Sequence, residues 1–174
     1  MGTHTIELKL QSIQQLYNSM DPSPFHERDL DHDAENFIES WAQESPRGAD
    51  IRLIIHLPVQ PAEPDESIAT SIHNYYRYKA ELNRNDLHRM LREGWSSLII
   101  GIAFLAVCTL GGQAIAHRPG EMMRVIGEGL TIVGWVAMWR PLEIYLYRWW
   151  PILALGRTYR KLSKAPVSIE AGNR

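Results

Sequence analysis

The sequence predicts an α/β amino-terminal domain in the order strand, helix, helix, strand, followed by a long helix and a two-helix transmembrane hairpin. The chain as a whole then reads as a mostly helical membrane protein. Three observations predict this. Residues 1–66 carry thirteen Asp and Glu against four Lys and Arg, whereas residues 67–174 carry seven against fourteen, so an acidic half is joined to a basic one. Residues 96–116 contain no Asp, Glu, Lys or Arg. At about 1.5 Å of rise per residue, that stretch is long enough to cross a hydrocarbon core of roughly 30 Å. Finally, two short stretches of the acidic half show the apolar character of strands. A purely soluble protein is excluded, and the lone Cys108 excludes an intramolecular disulfide framework and a zinc site with several Cys ligands.

Each element has a local reason. Thr5-Ile6-Glu7-Leu8-Lys9-Leu10 alternates polar and apolar side chains, as a half-buried strand does. Ser12 and Gln15 have capping-box spacing, and Ile13, Leu16, Tyr17 and Met20 continue at helical spacing until Asp21-Pro22-Ser23-Pro24 stops the helix. From Asp31 as cap, Ala34, Phe37, Ile38, Trp41 and Ala42 form an apolar stripe, while Asp33 and Glu35 complement the helix dipole. Ile51 to Pro58 reads as a strand buried on both faces over its middle. A crossover of this length joins parallel neighbours. Two strands do not make a stable sheet, so a second copy of the chain is expected to complete it.

The segment Asp21-Pro22-Ser23-Pro24-Phe25, with Arg28-Asp29-Leu30-Asp31, Ala34, Phe37 and Ile38, resembles a stretch in a family of small uncharacterised bacterial membrane proteins. The likeness covers residues 1–58. It implies a bacterial inner-membrane protein and carries no activity with it.

The expected layout is a cytoplasmic α/β domain (1–60), a linker and juxtamembrane helix (61–95), a first transmembrane helix (96–116), an external turn (117–121) and a second transmembrane helix (122–140). An interfacial aromatic segment (141–155) and a basic cytoplasmic tail (156–174), disordered beyond Lys164, follow. Ile68, Ile72, Tyr75 and Tyr76 share a helical stripe, and Asn83, Asn85 and Asp86 mark an expected bend. No cleavable signal core precedes these elements. Basic residues flanking the apolar runs place both termini in the cytoplasm. Arg77, Lys79, Arg84, Arg89, Arg92, Trp95, Trp139, Arg140, Trp149 and Trp150 are the expected lipid and interface residues. The aromatic and basic residues of Tyr75-Tyr76-Arg77-Tyr78-Lys79 also occur on nucleic-acid surfaces, but beside a membrane helix they point to anionic headgroups or an acidic partner face rather than to nucleic acid.

Arg124 and Glu128 lie on one helical face, and folding the hairpin brings Thr109 and Gln113 to a similar depth, predicting an intramembrane polar cluster. Its readings are an interhelical lock or, less simply, an ion or proton path. His26 to Asp33 offers metal-ligand atoms without a recognised spacing, and the simpler reading is a helix amino-terminus; no metal or cofactor is expected. Ser97 with Gly101, Gly112 with Ala116, and Gly127, Gly129 and Gly134 predict close helix packing. Phosphate-loop, nucleophile-elbow and zincin motifs are absent, so no catalytic set is nominated. The expectation is a non-enzymatic inner-membrane protein whose cytoplasmic domain self-assembles or docks a protein partner. A small oligomeric channel or transporter component using Glu128 and an accessory subunit of a larger complex are the alternatives.

Overall fold

A computed structural model describes residues 2–24, 28–46 and 48–172. The strands are β1 (Thr3–Lys9), β2 (Asp50–Leu57) and β3 (Val167–Ala171). The helices are α1 (His32–Glu44), α2 (Asp65–Ala116), α3 (Glu121–Ala137), α4 (Trp139–Glu143) and α5 (Trp149–Leu162), with a 3-10 turn at Ile13–Leu16 and a π-helical turn at Ile144–Arg148. Two compact units result, Met1–Arg84 with Ala154–Arg174, and Asn85–Leu153; α2 continues from one into the other.

In the first unit all three strands are parallel in the order β1-β2-β3, with Ile6 opposite Leu53 and Leu53 opposite Val167. Alternation turns Ile6 and Leu8 of β1, and Ile51, Leu53, Ile55 and Leu57 of β2, to one face. There they meet Ala34, Ile38 and Ala42 of α1, Ile68, Ile72 and Tyr76 of α2, and Tyr159 and Leu162 of α5. Each fully buried aliphatic contributes roughly 1.5–3 kcal/mol by leaving water. The opposite face is polar, and His56 lies 3.3 Å from Glu7 and 3.4 Å from Glu170, linking all three strands.

Several expectations are corrected here. The third strand comes from the same chain, where Val167 and Ile169 alternate after Pro166, so no second copy is needed to complete the sheet, and residues 167–171, expected to be disordered, form a strand. The second strand is buried on one face only, since β2 carries Arg52 and His56 on the other. The first expected helix is a single 3-10 turn, in which Gln15 Oε1 accepts the N–H of Gln11 at 2.8 Å instead of boxing Ser12. The helix α2 runs without a break through Asn83–Asp86. Asn83 packs against Gly156 of α5, where a Cβ would meet its Nδ2 at 2.5 Å, and such packing overrides a helix-propensity cost of a few tenths of a kcal/mol per residue, roughly.

The two-helix transmembrane hairpin is also corrected. Among the described residues one helix, α2, is long and apolar enough to cross a membrane. The second apolar run is broken at Met138, leaving α3 with 17 residues, and Arg124 and Glu128 occupy its first two turns. Its uninterrupted rise of about 26 Å, charged at the start, falls short of a hydrocarbon core. Within this unit α3 packs on the apolar half of α2 through small residues. A Cβ on Gly112 would lie 2.6 Å from the Gly127 carbonyl oxygen, and one on Gly134 would lie 2.9 Å from Cys108 Cβ.

Candidate functional site

The loop that enters α1 is built by side chains that replace backbone partners. Asp21 accepts the N–H of Asp29 at 2.7 Å and that of Ser23 at 2.9 Å, and these donors hold its carboxyl below the usual carboxylate range. Asp31 caps α1 by accepting the N–H of Asp33 at 3.0 Å. Tyr17 and Leu30 pair as an antiparallel bridge, which brings the 3-10 turn beside the start of α1.

Between that turn, β1 and α1 lies a groove of about 640 Å³. Leu8, Leu10, Tyr17 and Phe37 supply its apolar lining, and Asp31 and Asp33 its carboxylates. The stripe on α1 is wider than the sheet can cover. Ala34, Ile38 and Ala42 are buried, but Phe37 and Trp41 remain 41% and 45% exposed, their ring centroids 5.9 Å apart. β1 is an edge strand. The Asp50 N–H donates to the Gly2 carbonyl and the Leu10 N–H to the His56 carbonyl, so even-numbered residues of β1 turn their backbone groups toward β2. Thr3, Thr5, Glu7 and Lys9 therefore turn theirs outward, and among the described residues no strand pairs with them. A free strand edge beside half-exposed aromatic rings can accept an extended peptide.

Behind the groove, α1 is clamped by a polar cluster. Lys79 of α2 forms an ion pair with Glu35 and lies 3.7 Å from Glu39, while the Tyr159 hydroxyl of α5 donates to Glu39 at 3.1 Å. Burial opposes ionisation of Glu35, but hydrogen bonds from Lys79 and Tyr75 outweigh it and hold that carboxyl below its ordinary value. Burial and the neighbouring Glu35 push Glu39 upward. Burial and the same carboxylates keep the phenols of Tyr75, Tyr76 and Tyr159 protonated far above their ordinary range. Three helices thus meet at two carboxylates and one ammonium, an arrangement that positions α1.

The expected lipid residues divide. Lys79 belongs to this cluster rather than to a lipid surface, and Tyr76 beside it is fully buried. Arg77 donates to Asn74 at 3.2 Å, and Arg89 lies 3.5 Å from Glu93. Arg84, Arg92 and Arg140 are exposed, as are Trp95, Trp139 and Trp150, and Trp149 donates its indole N–H to the Tyr145 carbonyl at 2.8 Å. The intramembrane polar cluster is not assembled. Thr109 donates to the Leu105 carbonyl of its own helix at 2.8 Å, Gln113 is exposed, and Glu128 is exposed at 4.0 Å from Arg124. Gly127 occupies the face toward α2, which turns its neighbour Glu128 away.

Of the suggested metal segment, His26 and Glu27 lie outside the described residues, and among the described residues no cluster of three metal-ligating side chains occurs. Glu39 and Tyr159 escaped the sequence reading, and Glu35 was read only as complementing the helix dipole, because their partners stand on separate helices. The available signal was the helical spacing of Glu35 with Glu39.

The fold and groove define a class: among the described residues, a three-stranded parallel α/β unit with a free strand edge, carried on a chain with one membrane-length helix. No protein-family model, curated protein or solved structure matches the chain.

Proposed function

We propose that the chain is a non-enzymatic, membrane-anchored docking protein of the bacterial inner membrane, whose α/β unit takes an extended segment of a partner protein as an added strand along β1. The observation that supports this most is the coincidence, over one groove, of an unpaired strand edge with the half-exposed Phe37. An added strand would satisfy the outward N–H and C=O groups of Thr3, Thr5, Glu7 and Lys9. Its alternate apolar side chains meet Leu8, Leu10 and Phe37, and its basic side chains meet Asp31 and Asp33.

Anchoring falls to α2, whose most apolar stretch is only 17% buried, unlike the core helix of a soluble domain. The basic residues near the apolar half of α2 favour the cytoplasm as the compartment of the α/β unit.

The test is the mass and composition of the particle extracted gently from native membranes. Glu7→Pro removes an outward N–H while leaving the ladder to β2 intact, and Phe37→Asp alters the groove wall without touching the core. A second polypeptide in stoichiometric amount, lost from each variant at unchanged helix content, is the expected result. A particle containing this chain alone, whether monomeric or self-assembled, overturns the proposal, as does a companion that survives both substitutions.

A further inference from the structure

At the opposite end of β1 and β2 the first unit has a second recess, of about 390 Å³, lined by Arg52, Arg160, Lys161 and Lys164 against a single carboxylate, Asp50. It exists because β3 pairs with β2 only from Leu53 onward, which leaves the first residues of β2 unpaired on that side. The last turn of α5 and the loop into β3 fill the space instead, and Lys161 donates to the Ala49 carbonyl at 2.9 Å. Arg160 uses its Nε toward the Gly156 carbonyl at 3.2 Å, which leaves its two terminal nitrogens free of that bond. Arg52 and Lys164 have no ion pair among the described residues.

Cations at a helix carboxyl end are stabilised by the helix dipole, and this alone accounts for Arg160 and Lys161. It does not account for Arg52. That residue comes from the polar face of β2, is exposed, and lines the same recess. Four cations facing one carboxylate, in a unit whose first 66 residues are strongly acidic, form a local inversion of charge. The planar donors of two arginines suit the geminal oxygens of a phosphoryl group, and a lysine adds a compact charge.

We infer that this recess binds a phosphate group, presented either by a soluble phosphate compound or by an anionic lipid headgroup. The test uses the full chain in phosphatidylcholine nanodiscs at low salt, with the Arg Nε–Hε resonances observed during titration with inorganic phosphate. A second arm replaces part of the lipid with phosphatidic acid. Saturable shifts in the first arm identify a soluble ligand, and shifts confined to the second identify a headgroup; either supports the inference. Arg52→Gln and Lys164→Gln, both at exposed positions, are expected to weaken the response by about tenfold each, the loss of a charge-assisted contact. A linear, non-saturating response in both arms overturns the inference, as does saturation that is unchanged in both variants.

Discussion

The two units differ in which residues line the contacts between their elements. In the α/β unit the interior is made of Ile6, Ile38, Leu53, Ile55, Ile68 and Ile72, and the exposed positions are largely polar. In the helical unit Met90, Pro141 and Ile144 are buried as well, but the seam between α2 and α3 is Gly101, Cys108, Gly112, Gly127 and Gly134, while Ile100, Val107, Leu110, Ile132 and Val136 point outward. Water drives large apolar side chains inward, but a hydrocarbon solvent gives them no such push and leaves close packing of small residues to bring helices together. The difference teaches that the two units pack by different rules, and it agrees with α2 as a candidate membrane-crossing helix on grounds other than its length.

The sharpest way to break this comparison is to enlarge and shrink side chains in each interior. Ile55→Ala in the sheet is expected to cost about 2–5 kcal/mol, through lost transfer energy and the cavity left behind. Gly112→Val acts by the opposite mechanism. Its new Cβ meets a backbone oxygen that cannot yield, and overpacking should cost roughly 1–3 kcal/mol of helix pairing. Gly129→Ala is the internal control, since nothing lies within 4 Å of its Cβ position, and it should change stability by no more than about 0.5 kcal/mol. Urea unfolding of the full chain in nanodiscs reads the first, and denaturation in mixed micelles reads the other two. Equal tolerance of Gly112→Val and Gly129→Ala would refute the packed seam.

Smaller effects test the clamp that positions α1. Lys79→Met leaves two carboxylates without their ammonium and should destabilise by roughly 1–3 kcal/mol at neutral pH. The pH dependence follows from the two directions. Glu35, held below its ordinary value, contributes stability that is present above that value and is lost as pH falls through its folded pKa. Glu39, pushed upward, costs stability while ionised, and that cost is relieved as pH falls through its raised value. Glu39→Gln should therefore stabilise the protein at neutral pH by up to about 1 kcal/mol, keep an acceptor for Tyr159, and lose the advantage in mild acid. Urea midpoints measured across the carboxylate range check this, and a variant less stable than the parent at neutral pH would contradict it.

Local patterns were legible wherever one segment carried its own reason. The alternation of Ile6 and Leu8, the cap at Asp31, the stripe of Ala34, Ile38 and Ala42, and the small residues Gly112 and Gly127 all occupy the faces their spacing requires. What escaped was non-local. Val167 and Ile169 are too short a run to announce a strand until β2 offers them an edge. Phe37 and Trp41 share the apolar stripe of their helix, and only the limited width of a three-stranded sheet leaves them half outside. The groove residues were thus visible one by one, but not the free backbone edge beside them.

By itself, the chain determined its alternations, its caps and its uncharged membrane-length segment, because these depend on neighbours within a few positions. Tertiary structure alone decided that the carboxyl-terminal residues close the sheet, that Lys79 faces two carboxylates instead of lipid, and that Arg52 joins the cations of α5. Those outcomes rest on contacts between residues some 40–120 positions apart, whose energies exist only once the loops between them have closed.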